Sequence, residues 1–261
     1  MHDAGAVPDE VMHAFARETR LSETSFVQPA AADGADYRHR IWMMSGEVPF
    51  AGHPSLGTAV AVARARGADR ASFAQQTHAG VQRIDVEVSG RTAGASMLQE
   101  PPSFGPELDP GEVLRMAGLS AADADPGLPV QVVSTGAPQV LVPVAGAEAL
   151  SRARPDYDAI GALLGAHDAI VYYLVSAGDD GKVRARSFLR TAEMGEDPAT
   201  GAAAGPLCAY VAARLGVQAI EIDQGGEMGR PSRLRASVEG DRVRVGGDVV
   251  VVVDGTVHLD F

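Results

Sequence analysis

The chain has a single cysteine, Cys208, in 261 residues. No internal disulfide can form, and a structural zinc site built of thiolates is excluded. Positive charge is also scarce: the formal net charge is -12, and the longest basic stretch, 230–235, holds only three arginines. Nucleic acid and anionic membrane surfaces both require a positive footprint to neutralise phosphate charge, so neither is expected as a partner. The most apolar run, Val249 to Val253, falls far short of the roughly 20 residues a membrane helix needs. The N-terminus, Met1-His2-Asp3-Ala4, has neither the basic start nor the apolar stretch of a signal peptide, so a cytoplasmic protein is expected. The seven histidines never fall at the i, i+4 or clustered spacings used by metal sites on one helix, and no metal is expected.

What remains is an ordinary globular composition, with 46% hydrophobic and 21% charged residues. The length suffices for one large domain or two smaller ones. Two segments share a layout: Gly52-His53-Pro54-Ser55-Leu56-Gly57-Thr58-Ala59 and Glu196-Asp197-Pro198-Ala199-Thr200-Gly201-Ala202-Ala203. Each has a polar residue, proline, two residues, glycine, then an alanine-rich helical run that ends at a glycine suited to a helix C-cap, Gly67 or Gly216. The offset is 197 minus 53, or 144, and it carries other segments onto one another. The helical stretch 9–19 falls on 153–163, the strand-like 25–27 on 169–171, and 41–44 on 185–188. Alternating, β-branched segments follow each motif helix: 81–88 and 95–99 in the first half, 233–238 and 249–253 in the second. The halves read as copies of one mixed β/α unit, giving an N-terminal lobe over 1–105 and a C-terminal lobe over 106–261. The segment Val130 to Val144 reads as strand, Gly-Ala-Pro turn and strand opening the second half. Its counterpart under the same offset would precede Met1, so the first lobe is expected to lack its opening strands.

A helix that starts after a glycine-containing loop directs unpaired backbone N–H groups and the positive end of its dipole outward, which suits an anion. If the lobes pack about a pseudo-twofold axis, the starts near Pro54–Thr58 and Pro198–Ala202 face each other and can hold a carboxylate without arginine. His53 and Asp197 stand at matched positions before these helices. Alone, each is more simply read as a buried or capping residue; as a pair they point to function. Glu23 stands at the entry of a strand, where a solvated glutamate is the ordinary reading. Cys208 lies at least one turn into its helix, away from the environment that activates thiols, and reads as a core residue.

Taken together, F-A-G-H-P-S-L-G-T (50–58), L-S-E-T-S-F-V (21–27), E-D-P-A-T-G-A-A-A-G-P-L (196–207) and Q-G-G-E-M-G-R-P-S-R (224–233) resemble the PhzF-like phenazine-biosynthesis isomerase family. The resemblance covers nearly the whole chain. It implies an α+β, diaminopimelate-epimerase-like fold of two pseudo-symmetric lobes, each a β-barrel-like sheet around a central helix. It also implies isomerisation of a small carboxylate-bearing substrate such as trans-2,3-dihydro-3-hydroxyanthranilate, with no cofactor, in a homodimer. Glu23 matches the family's proton shuttle, which takes a proton from the hydroxyl-bearing ring carbon and returns one to another. His53 and Asp197 match residues that orient the substrate and assist transfer. Ser22, Gly52, Gly201 and Ala202 match substrate-binding positions. Two departures stand out: Ala202 occupies a position where serine is usual, and the family's opening strand with its G-N-P turn is absent before Met1. The alternatives are an amino-acid epimerase or racemase of the same fold, and a non-catalytic carboxylate-binding protein.

Overall fold

The computed structural model describes residues 1–178 and 181–259. The chain divides into two compact units, Met1–Met97 with Gly246–Phe261 (unit 1) and Leu98–Val245 (unit 2). A contiguous division at 105/106 assigns the C-terminal segment to the second lobe; here that segment counts with unit 1, and the division falls inside a strand.

Unit 1 contains α1 (Asp9–Thr19), β1 (Thr24–Gln28), β2 (Tyr37–Met43), β3 (Gly46–Val48), α2 (Gly52–Ala65), β4 (Arg70–Thr77), β5 (Gly80–Ser89) and β6 (Thr92–Leu98). Its strands run in the order β1-β2-β4-β5-β6, with β3 hairpinned onto β2. Leu56, Ala59, Val60 and Ala63 recur at i, i+3, i+4 and i+7 and form the buried stripe of α2. That stripe packs against Tyr37, Phe73, Ile84, Val86, Ala95 and Met97, drawn from four strands, so the sheet curls around the helix. The other face of β1 and β2 is covered by α1, whose Met12 and Ala16 meet Phe26 and Trp42.

Unit 2 contains β7 (Ser103–Glu107), α3 (Pro110–Arg115), β8 (Gln131–Ser134), β9 (Pro138–Pro143), α4 (Ala147–Arg152), α5 (Tyr157–Ala166), β10 (Tyr172–Ala177), β11 (Lys182–Phe188), β12 (Glu196–Asp197), α6 (Gly201–Leu215), β13 (Ala219–Gln224) and β14 (Ser232–Glu239). β15 (Arg242–Val250) follows and crosses the division at Gly246. The strand order is β7-β8-β9-β10-β11-β13-β14, with β12 on β11. Every residue of α6 from Ala203 to Val211 is buried, as suits a helix apolar all round. Alternate strand residues, Val133, Leu141, Tyr173, Val175 and Val183, face it. The intervening Val132, Val140, Val142, Tyr172 and Leu174 face a second core under α3, α4 and α5. Burial on both faces explains why β8 to β10 read as near-continuous apolar runs.

The order α1-β1-β2-β3-α2-β4-β5-β6 matches α5-β10-β11-β12-α6-β13-β14-β15, so the duplication holds. Its spacing differs from 144. The helix starts Gly52 and Gly201 lie 149 apart (201 minus 52), and Trp42↔Glu47 and Phe188↔Glu196 are equivalent pairs in the hairpins before them. The structural counterpart of His53 is therefore Ala202, and that of Asp197 is Val48. Proline explains the slip: it is tolerated both in the first turn of a helix and ahead of it, so a Pro-x-x-Gly match does not fix where the helix begins. Pro54 is the third residue of α2, whereas Pro198 precedes α6.

Two other readings change. The last strand is the alternating Arg242–Val250, and Val252 and Val253 lie beyond it at 79% and 85% exposure, so apolar composition without alternation misplaced it. β8 and β9 are the antiparallel pair expected over Val130–Val144, and β9 pairs in parallel with β10. Among the described residues unit 1 has no such pair; the outer edge of β1 is met by Met1, whose amino group donates to Ser25 O (2.5 Å) and whose carbonyl accepts from Val27 N (2.9 Å).

Two glycines with positive φ separate backbone strain from crowding. Gly216 caps α6 at φ 74° with open space around it, whereas Gly225 at φ 79° has the backbone of Arg230 and Pro198 where a Cβ would sit. Gly216→Ala should cost about 1 kcal/mol, and Gly225→Ala at least about 2 kcal/mol more from overpacking against rigid backbone. Urea denaturation of the two variants measures the difference.

Candidate active site

Glu23 lies just after the left-handed C-cap Arg20 of α1 and just before β1, a short connection that leaves it little freedom. Its side chain is 15% exposed, and His53 Nε2 stands 3.0 Å from its Oε2. That oxygen is buried and has no partner in hydrogen-bond geometry. His53 Nε2 stands at ion-pair distance from this oxygen without meeting hydrogen-bond geometry. The result is a shielded carboxylate oxygen with a lone pair uncommitted, beside a half-exposed imidazole. Ser22, next in chain, is exposed, and Gly52 is the first residue of α2.

The α2 start has no side-chain cap, since Ala51 occupies that position. A buried polar network anchors the backbone there without capping the helix N–H groups. Ser55 Oγ donates to Ala51 O (2.8 Å) and accepts from Gln75 Nε2 (2.9 Å), and Gln75 Oε1 accepts from the Tyr37 hydroxyl (3.0 Å). Beside it, His39 Nε2 contacts Ser25 Oγ at 2.8 Å and Thr58 Oγ1 at 3.2 Å, tying β1 to α2 two residues beyond Glu23 and five beyond His53.

In unit 2, Asp197 ends β12 and lies four residues ahead of α6, with Gly201 and Ala202 as the first two helical residues. Its Oδ2 accepts from Thr200 Oγ1 (2.6 Å), and its Oδ1 is 3.5 Å from Ala199 N. Thr200 is the residue before α6, yet its hydroxyl does not cap the helix. The first turn is held instead by Gln99, whose Nε2 donates to Gly201 O (3.0 Å). Sequence reasoning did not single out Gln75, Gln99, His39, Thr200 or Gln224; the last two stand inside the motifs at 196–207 and 224–233, while nothing local marks the others. Cys208 is buried in α6, and burial pushes its thiol up to about 11, away from nucleophilic use. Among the described residues no cluster of three or more His, Cys, Asp or Glu could hold a metal ion, and no helix is long and apolar enough to cross a membrane.

The structure thus brings Glu23 and His53 together in unit 1, with Ser22 and Gly52 nearby in chain, and places Asp197 beside the α6 start formed by Gly201 and Ala202 in unit 2.

Burial lowers His39 from an ordinary 6.5 to about 4. The folded state therefore keeps the imidazole neutral in a range where the unfolded chain protonates it, and its contribution to stability is present above pH 6.5 and is lost as pH falls toward about 4. Urea midpoints across that window should decline more steeply for the native chain than for His39→Gln, which removes the titrating group.

Comparison with known proteins gives a consistent result. A family model described as phenazine biosynthesis-like protein matches residues 1–255. Trans-2,3-dihydro-3-hydroxyanthranilate isomerase of Pseudomonas fluorescens is 35% identical over 266 aligned residues, covering 98% of this chain and 91% of the relative. A solved Pseudomonas aeruginosa structure named as a predicted epimerase superposes with a TM-score of 0.80 at 33% identity, covering 97% of this chain and 92% of the other. A probable proline racemase from Agrobacterium radiobacter, at 12% identity and a TM-score of 0.62 over 96% of this chain and 83% of its own, shares the fold.

Proposed function

As a member of the phenazine biosynthesis-like (PhzC-PhzF) family, the chain is an isomerase, and we propose that it moves a proton within a small carboxylate-bearing substrate of the trans-2,3-dihydro-3-hydroxyanthranilate type, using its own side chains and no cofactor. The observation that carries this reading is the shielded Oε2 of Glu23 with His53 Nε2 at ion-pair distance, 3.0 Å. A carboxylate so placed can take a proton from a substrate carbon and return one to another carbon of the same molecule. His53 holds the substrate and stabilises charge beside Glu23, and Asp197 assists the transfer. Ser22 and the backbone N–H groups of Gly52, Gly201 and Ala202 bind polar substrate groups, supported by the absence of a side-chain cap at either helix start. Holding the substrate in one pose shortens both proton transfers to a single reach.

A thiol-based epimerase reading finds no support: it needs a reactive thiol, and Cys208 is buried with its acidity suppressed. A cytoplasmic location and a homodimer complete the proposal. The location is supported by the single buried cysteine, which leaves no internal disulfide to form, and the homodimer by the family likeness.

Incubation of trans-2,3-dihydro-3-hydroxyanthranilate with enzyme in deuterium oxide, followed by mass spectrometry, tests the reaction. The native chain should form product carrying deuterium at carbon, and Glu23→Gln should turn over at least ~10²-fold more slowly with its melting temperature and ligand binding retained. A non-catalytic binding protein would incorporate no deuterium, and near-normal turnover by Glu23→Gln would sink the role of Glu23. A thiol-blocking reagent and a chelator should each leave the rate unchanged.

A further inference from the structure

Behind Asp197 runs a hydrogen-bond chain whose direction is fixed by its own chemistry. Gln224, 2% exposed at the end of β13, places one amide atom 2.6 Å from Asp197 O and 2.9 Å from Thr200 Oγ1. A main-chain carbonyl can only accept, so that atom is Nε2. The other amide atom lies 2.8 Å from the Tyr173 hydroxyl and 3.4 Å from Thr200 N. A main-chain N–H can only donate, so that atom is Oε1, and both ends give the same assignment. Tyr173 is fully buried and, through burial and then the nearby Asp197 charge, keeps its proton well above the ordinary phenol range, so it is a donor.

The consequence passes to Thr200. Its hydroxyl oxygen already accepts from Gln224 Nε2, so its one proton is directed to Asp197 Oδ2 at 2.6 Å. Oδ2 thereby holds a short hydrogen bond that fixes the carboxylate's orientation, while Oδ1 has only the 3.5 Å approach of Ala199 N. The same threonine stands where a helix cap would be expected and does not serve as one.

Resting on the reading of Asp197 as a catalytic residue, we propose that Thr200 and Gln224 are positioning residues that orient the Asp197 carboxylate, occupying Oδ2 and leaving Oδ1 as the oxygen that meets substrate. The chain acts through geometry: no proton moves along it, because the Gln224 amide holds both of its own.

Kinetics on five variants, with melting temperatures, test this. Thr200→Val keeps shape and removes the hydroxyl, and should lower kcat about ten- to a hundredfold, the usual worth of a hydrogen bond to a charged group, with little change in KM. Thr200→Ser should recover activity to within a few-fold. Gln224→Glu keeps shape but cannot donate to Thr200, so the Thr200 proton turns back toward residue 224; kcat should fall as in Thr200→Val although the hydroxyl is present. If Thr200 works only through Asp197, adding Thr200→Val to Asp197→Ala should cause no further loss. Equal losses in both backgrounds, or native kcat in folded Thr200→Val and Gln224→Glu while Asp197→Ala is impaired, would overturn the positioning role alone. Native activity in Asp197→Ala would instead overturn the reading of Asp197 on which the proposal rests.

Discussion

A helix wrapped in a sheet buries most of its length, and at the partly exposed starts of α2 and α6 no side chain supplies a cap. The polar groups around those starts must be satisfied from the strands, or left for a ligand. Gln75 through Ser55 in unit 1, and Gln99 and Gln224 in unit 2, perform that task. Each is a neutral amide able to donate and accept at once, which suits a buried junction where a charge would need a partner of its own. The backbone just ahead of each helix is thereby held rigid, while the first N–H groups of the helix remain unclaimed by any side-chain cap. That combination of fixed backbone and open donors is what a preorganised anion site requires.

The two units solve the packing problem alike and the chemical problem differently. Aligned by the 149-residue spacing, His53 stands opposite Ala202 and Asp197 opposite Val48, and the strand register sets Glu23 opposite Val171. Each of these titratable residues thus has an apolar counterpart in the other copy. The proton shuttle proposed above is consistent with such inequality: two equivalent bases would favour removal on one face and return on the other, as an epimerisation does, whereas one shielded carboxylate can both take and return the proton. Ala202, where serine is usual in the family resemblance, fits the same division, because it leaves the α6 start to its backbone while Asp197 stands just ahead of it as the titratable side chain.

Much of this was legible in the sequence because local chemistry writes it there. Gly67 and Gly216 mark helix ends since a left-handed residue is needed there, with φ of 66° and 74°. The strand pair around Gly136 is legible because Val-Val and Val-Leu-Val runs flank a turn. The pairing of His53 with Asp197 was not a sound reading, since proline satisfies two different positions at a helix start and the motif match drew the wrong one. The supporting amides were invisible for another reason. Gln75 lies 20 residues from Ser55, and Gln99 lies 102 from Gly201, so only the folded chain brings them together. Within a single sequence, an isolated glutamine on a strand carries no mark of what it will hold.

One buried interaction survives in both units, whereas Glu23, His53 and Asp197 have no titratable counterpart. Arg40 takes both oxygens of Glu47 from β3 at 2.7 Å, and Arg186 takes both oxygens of Glu196 from β12 at 2.9 and 2.8 Å. Arg186 further donates to Leu150 O and Ala153 O, and Arg40 also reaches Asp9 at the start of α1. Taking such a pair out of water costs roughly what the pairing returns, so stability alone gives little reason to keep it. Its geometry gives a better one. A bidentate guanidinium–carboxylate contact tolerates little sliding, and in each unit it locks the hairpin that leads into the central helix. In unit 2 the locked residue, Glu196, is the immediate neighbour of Asp197, so the ion pair fixes the backbone from which that carboxylate projects, and the Thr200–Gln224 chain then has only its side-chain torsions to set.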